Sequence, residues 1–179
     1  FDQLFLADLP DRQQIARVAR QLPWQPDLIV IGELLEHLDQ PGRVIENCVK
    51  CFEGRPEVII TVPNAFSIKA LARVMIGREK VSDDHVAYFS WATVRQLVSR
   101  FDLKVRSGHW YRASFRPHIA EAAIDLLLKP LLWLSPQLAD GIIVRCGHQP
   151  SQSVSALADD LAVDRQADPE GLVGQVQEK

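Results

Sequence analysis

Two short runs of branched apolar residues constrain this chain more than anything else in it. Leu28–Ile31 is closed by Gly32, and Val58–Val62 is closed by Pro63 and Asn64. Such runs, with little polar alternation, suit strands buried on both faces of a parallel sheet. Between them a stretch opens at Pro41, where a missing N–H does no harm to a helix, and stops at Gly54. Val44, Ile45, Cys48, Val49 and Phe52 give that stretch one apolar face at helical spacing. Strand, helix and strand in this order make a crossover unit, which is right-handed when its strands are parallel.

The rest of the chain continues the alternation. Leu4–Ala7 reads as a short strand running into Asp8, Leu9 and Pro10. Asp11 opens a helix to about Leu22, broken by Pro23 and Pro26. Ser67 to Ile76 reads as a helix stopped by Gly77. Ser90 is placed as an N-cap for a helix from Trp91 to Arg100, with Val94, Leu97 and Val98 inward. A further strand begins at Leu103–Val105, a mostly helical stretch covers His118 to Leu134 with a break at Pro130, and Gly141–Cys146 is the last strand. The fold class expected is α/β, with a mostly parallel sheet and helices on both faces. Residues 1–148 form the expected domain. Residues 149–179 turn polar and are expected to be a disordered tail.

Composition removes several function classes. The formal net charge is −3, so there is no broad basic field and no nucleic-acid partner is expected. No stretch approaches the roughly 18–20 uncharged apolar residues of a membrane span. The aromatic and leucine-rich segment His109 to Leu138 leaves three readings open: a cap on an acceptor pocket, a peripheral membrane contact, or a core-packing helix. The three cysteines, Cys48, Cys51 and Cys146, are an odd number without a secretory leader, which points to reduced thiols and a cytoplasmic location. Cys48 and Cys51 form a lone C-x-x-C inside a helical pattern. No second Cys or His pair stands at a zinc-type spacing, so they read as small helix residues.

In open parallel sheets, ligands bind beyond the carboxyl ends of the strands. The informative residues are therefore Asp8, Gly32 to His37, and Pro63 to Phe66. Gly32, at a strand end, lets a ligand approach the backbone. Glu33, Glu36 and His37 stand at i, i+3 and i+4, so a helical turn would aim all three the same way. Such a trio suits a divalent metal or acid–base work. The alternative is a solvated helix start favoured by the helix dipole.

The run Asp27 to Pro41 resembles the fourth-strand motif of class I S-adenosylmethionine-dependent methyltransferases, an Asp, an apolar strand and an E-x-x-E-H-L turn. Val58 to Phe66 is similar to the fifth-strand motif of that family, with its V-P-N turn. His85 to Ser90 resembles the H-x-x-x-F-S segment before the next helix, and Leu4 to Leu9 resembles the third strand with its terminal Asp. Four motifs in order, from Leu4 to Val105, are more specific than any one alone. The resemblance implies a partial Rossmann-like class I methyltransferase sheet. It implies S-adenosylmethionine as cofactor, with Asp8 and Leu9 at the adenine and Gly32 and Glu33 at the methionine end. For Asp8 a helix cap remains the competing reading. Pro63 and Asn64 would floor the acceptor pocket. Small-RNA and ubiquinone-pathway O-methyltransferases carry a similar E-x-x-E-H turn. By that likeness Glu33, Glu36, His37 and His85 would hold a divalent metal, Mg²⁺ or Mn²⁺. Without a metal, His37 or His85 would serve as general base. The implied acceptor is a small molecule, a glycan or a lipid-linked precursor. A packing or interaction module without catalysis is the alternative.

The resemblance also implies missing parts. The first strand with its glycine-rich loop, and the second strand with its ribose-binding acid, have no counterpart here, which reads as the C-terminal portion of a longer enzyme. Weak cofactor binding by the chain alone is expected. The same reasoning expects Leu4–Ala7 to pair directly with Leu28–Ile31, since that strand would otherwise present a bare edge.

Overall fold

Local signals in the sequence determine where most elements begin. The computed structural model describes residues 3–79, 81–112 and 130–149. Asp11 caps the first helix, α1 (Arg12–Gln21): its carboxylate accepts the N–H groups of Gln13 and Gln14. Strand β1 (Leu28–Gly32) follows, then a 3₁₀ turn over Leu35–His37 and helix α2 (Pro41–Lys50) with proline in its first turn. Gly54, at φ 80°, makes the turn into β2 (Glu57–Pro63). Ser67 caps α3 (Ile68–Met75). Ser90 caps α4 (Trp91–Ser99) in a reciprocal box with Thr93. Strands β3 (Leu103–Tyr111) and β4 (Gly141–His148) complete the described elements.

The four strands form one sheet in the order β1-β2-β4-β3. β1 and β2 are parallel, with Leu28 opposite Glu57 and Gly32 opposite Thr61. β4 runs antiparallel to both β2 and β3. It follows that β1, β2 and β3 point the same way and β4 alone is reversed. The result is a partial Rossmann-like α/β sheet, mostly parallel in direction. β3 is longer than the Leu103–Val105 start suggested. It extends to Tyr111 because Trp110 and Tyr111 continue its pairing with β4.

The core lies on the face carrying Ile31, Val58, Ile60, Val62, Leu103, Ile142 and Val144. α2 adds Val44 and Ile45, α4 adds Val94 and Val98, and Leu35 reaches in from the 3₁₀ turn. Burying a side chain of this size stabilises by roughly 1.5–3 kcal/mol. Val30 pairs with Ile59, and Ile59 with Arg145, so these three share the opposite face. There Arg145 pairs with Glu57, and Val30 is 64% exposed. β1 is thus not buried on both faces as its apolar run suggested. Its alternation is set by packing on one side only.

Leu4–Ala7 corrects an expectation. These residues form no strand and do not pair with β1, whose outer edge has no partner among the described residues. Leu4 and Leu6 are exposed. The run contains no β-branched residue, and four residues bring too few ladder bonds to hold an added strand. Instead Phe5, Leu6 and Ala7 line a cavity of about 550 Å³ together with Ile29, Val30, Ile31 and Gly32. The expected helix of His118 to Leu134 falls largely outside the described residues, as does the polar tail beyond Gln149. No described helix is long and apolar enough to cross a membrane.

Candidate active site

Gly32 ends β1, and the next residue takes an unusual backbone. Glu33 has φ 45°, a left-handed conformation that costs a residue with a Cβ about 1 kcal/mol or more. It is held there by Thr61 of β2, whose carbonyl and hydroxyl oxygens both accept the Glu33 N–H at 3.0 Å. The chain then turns through Leu34 into the 3₁₀ turn. Leu35 is fully buried as its anchor, and Glu36 follows at 1% exposure.

This backbone separates the residues that a plain helical turn would have aligned. Glu36, His37 and His85 each offer a ligand atom within 4.8 Å of the others. The Glu33 carboxylate is not in that group; it accepts the Tyr111 hydroxyl at 2.5 Å. Three of the four expected metal residues therefore come together and the fourth stands apart. Its backbone is left-handed, and its carboxylate is engaged by the Tyr111 hydroxyl.

His85 arrives from the loop before α4. The Val86 and Ala87 N–H groups donate to the Glu36 carbonyl at 2.8 and 3.1 Å, which clips that loop onto the 3₁₀ turn. The His37 and His85 rings meet edge to face, with centroids 4.7 Å apart. His37 Nδ1 lies 3.2 Å from both the carboxylate and the carbonyl of Asp84. Both partners are acceptors and take a proton from Nδ1, and Nε2 faces Glu36 Oε1, 3.7 Å away. A carboxylate that orients an imidazole in this way is the usual support behind a histidine ligand.

Glu36 is the electrostatic centre. One of its oxygens, Oε2, is buried without a hydrogen-bond partner. Burial pushes its carboxyl above the ordinary range, and the charge of Glu33 pushes the same way, while His37 and His85 pull it down. A buried carboxylate with a spare oxygen and two imidazoles beside it fits a divalent cation. Ligands about 2.0–2.2 Å from one ion lie up to about 4.4 Å apart, so a small closure completes the set.

The residues expected at the cofactor and acceptor are distributed over three cavities. Leu9 and Gly32 share the 550 Å³ cavity beside β1. A methyl group added at Gly32 would meet only Thr61 Oγ1, at 3.6 Å, so the fold itself does not demand glycine there. Asp8 lines a separate polar cavity of about 420 Å³ with Asp11, Arg43 and Asn47. The cap of α1 is Asp11, which removes the capping role from Asp8. Asn47, buried in α2, donates to the carbonyls of Leu9 and Pro10 at 2.8 and 3.1 Å and fixes the turn that presents Asp8.

Pro63, Asn64 and His85 share a third cavity of about 190 Å³. The amide of Asn64 is nevertheless spent within the protein. Its nitrogen donates to the carbonyls of Gln137 and Ala139, and its oxygen accepts the Phe66 N–H. Asn64→Ala should therefore destabilise the fold by about 2–4 kcal/mol, because it strands two carbonyls and an N–H, and urea midpoints will measure that. A loss below about 0.5 kcal/mol would return Asn64 to the acceptor pocket.

Sequence reasoning missed Thr61, Asp84 and Tyr111. For Tyr111 no local signal existed, since it stands at the end of β3, 78 positions from Glu33. Burial pushes the thiols of Cys48 and Cys146 up to about 11, so both stay protonated at neutral pH.

No protein-family model matches this chain, and no curated protein does. Solved structures do. A SAM-dependent methyltransferase from Archaeoglobus fulgidus is 15% identical, over 74% of this chain and 64% of that one, at a TM-score of 0.48. The mitomycin 7-O-methyltransferase MmcR is 11% identical over 80% of this chain and 33% of that one, also at 0.48. The [4+2]-cyclase SpnF is 11% identical over 73% and 53%, at 0.42. This chain spans less than two thirds of the length of each, and TM-scores this low carry no argument about chemistry.

Proposed function

We propose that the chain is the acceptor-side part of an S-adenosylmethionine-dependent methyltransferase that acts on an oxygen of a small molecule, glycan or lipid precursor with the help of a divalent metal. The observation that carries this reading is the buried Glu36 carboxylate, with its spare oxygen, between His37 and His85 at the tip of β1. The ordered run of motifs from Leu4 to Val105 supplies the reaction class.

In this reading Asp8 and Leu9 hold the adenine, and Gly32 and Glu33 border the methionine end. Asn47 keeps the Asp8 turn in place. Glu36, His37 and His85 would hold the metal, and Asp84 fixes the tautomer of His37. A divalent ion bound there supplies positive charge that lowers the pKa of an acceptor hydroxyl. Without an ion, His85, which borders the cavity of Pro63 and Asn64, would take the acceptor proton as that oxygen attacks the methyl carbon and the carbon–sulfur bond breaks, releasing S-adenosylhomocysteine. Holding acceptor and methyl group in line provides most of the rate.

A second reading has one observation behind it. The bare edge of β1 and the apolar cavity beside it suit a module that only packs against another segment. Methyl transfer from labelled S-adenosylmethionine, measured with this chain in its complete protein, separates the two. Glu36→Ala and His85→Ala are each expected to lower transfer at least about a hundredfold, and EDTA to do the same to the unmutated protein. Full activity in EDTA would remove the metal, and no transfer to any hydroxyl acceptor would favour the packing module.

A further inference from the structure

We infer that Tyr111 is a positioning residue that keeps Glu33 out of the metal site, so that the ion is held by one carboxylate and two imidazoles. This rests on the metal reading of Glu36, His37 and His85 and refines it.

Three observations carry the inference. First, the backbone of Glu33 is fixed. Its left-handed φ and its N–H bonds to both oxygens of Thr61 leave only the side chain free to choose a direction. Second, the Tyr111 hydroxyl takes that side chain, donating to Glu33 Oε1 at 2.5 Å. A short bond to a carboxylate is among the stronger neutral-donor contacts a protein makes. Third, the ring is built into the sheet. Tyr111 lies opposite Gly141 in the β3–β4 ladder, and Gly141 also lies opposite Pro63 of β2. A methyl group added to Gly141 would sit 2.2 Å from the Tyr111 ring. The ring therefore rests directly on the backbone of β4, and its hydroxyl reaches across the sheet toward the tip of β1. Burial and the neighbouring Glu33 charge push that hydroxyl well above its ordinary range, so it remains a proton donor.

Glu36 offers the contrast. No side-chain hydroxyl holds it, and its Oε2 is buried with no hydrogen-bond partner among the described residues. Of two acidic side chains three residues apart, one is already satisfied and the other waits for a cation.

The consequence concerns metal choice. Two carboxylates and two imidazoles would suit Mg²⁺ better than one carboxylate and two imidazoles do, because Mg²⁺ prefers oxygen ligands. With Glu33 withheld, the nitrogen-rich set favours Mn²⁺, Fe²⁺ or Zn²⁺.

The test is calorimetric titration of Mn²⁺ and Mg²⁺ into the 179-residue chain and four variants: Glu33→Gln, Glu36→Gln, Tyr111→Phe, and Tyr111→Phe with Glu33→Gln. Phenylalanine keeps the ring on Gly141, so Tyr111→Phe removes only the hydroxyl. Glu33→Gln should change the Mn²⁺ affinity by less than about threefold, whereas Glu36→Gln weakens it about a hundredfold. Tyr111→Phe should tighten Mg²⁺ binding about tenfold by releasing Glu33 as a ligand, and that gain should vanish in the double variant. If Glu33→Gln weakens Mn²⁺ as much as Glu36→Gln does, Glu33 is a ligand and the inference is overturned while the metal site stands. If neither the unmutated chain nor Tyr111→Phe binds Mn²⁺, the metal site and the inference fall together.

Discussion

Glu36→Gln is expected to weaken Mn²⁺ binding about a hundredfold and, in the metal-free protein, to raise stability at neutral pH. The second half follows from the burial of the Glu36 carboxyl, which disfavours its charged form, a charge that glutamine does not carry. The direction with pH can be worked out. The folded-state pKa of Glu36 is raised, mainly by burial, so the folded protein holds this proton more tightly than the unfolded chain does. The contribution is fully present below the ordinary glutamate range and is lost as pH rises through the raised folded value. The unmutated protein in EDTA should therefore lose stability from the acid side toward neutrality, and Glu36→Gln should lack that part of the slope. Urea unfolding of both proteins across this range measures it. A glutamine variant less stable than the unmutated protein at pH 7 would show that the carboxylate has a partner.

Leu35→Ala has the next largest expected effect, a loss of about 2–5 kcal/mol. Leu35 is completely buried in the main core, yet it belongs to the 3₁₀ turn that carries Glu36 and His37. Removing it leaves a cavity under the turn. The turn's other ties include the Glu36 carbonyl's bonds to Val86 and Ala87 and the contacts of His37 with Asp84 and His85, none of which fills the space that Leu35 occupies. Denaturation midpoints should fall sharply, and Mn²⁺ affinity should fall with them in whatever fraction stays folded. A midpoint within about 0.5 kcal/mol of the unmutated protein would contradict the placement of Leu35. Leu35→Met, close in volume, should restore most of the loss.

The elements of the fold were largely legible in the chain because they begin and end at residues with local consequences. Asp11, Pro41, Gly54, Ser67 and Ser90 act within one helical turn or one tight turn, and each stands where its chemistry predicts. What was not legible depends on partners far away in sequence. Leu28–Ile31 has the composition of a strand covered on both faces, but composition cannot tell which neighbours are present, and Val30 is left exposed. Leu4–Ala7 looked like a strand because it is apolar and precedes an Asp, whereas its length and lack of branched residues decided against pairing.

The candidate site divides in the same way. Glu36, His37 and His85 were named from motif and spacing, and the structure brings them together. Glu33 was grouped with them on the assumption of a regular helical turn, which the left-handed backbone at that residue does not provide. Its partner Tyr111 lies 78 positions along the chain, beyond any local pattern. Asn64 was expected to floor an acceptor pocket; it lines a cavity with Pro63 and His85, and its three hydrogen bonds also hold its own turn together.

The most direct measurement is a crystal of the chain grown with Mn²⁺ and examined by anomalous scattering. One ion should appear about 2.0–2.3 Å from a Glu36 oxygen, His37 Nε2 and a His85 nitrogen, with Glu33 still on Tyr111. Density without an ion there, and with the two imidazoles turned away from Glu36 into solvent, would contradict the account.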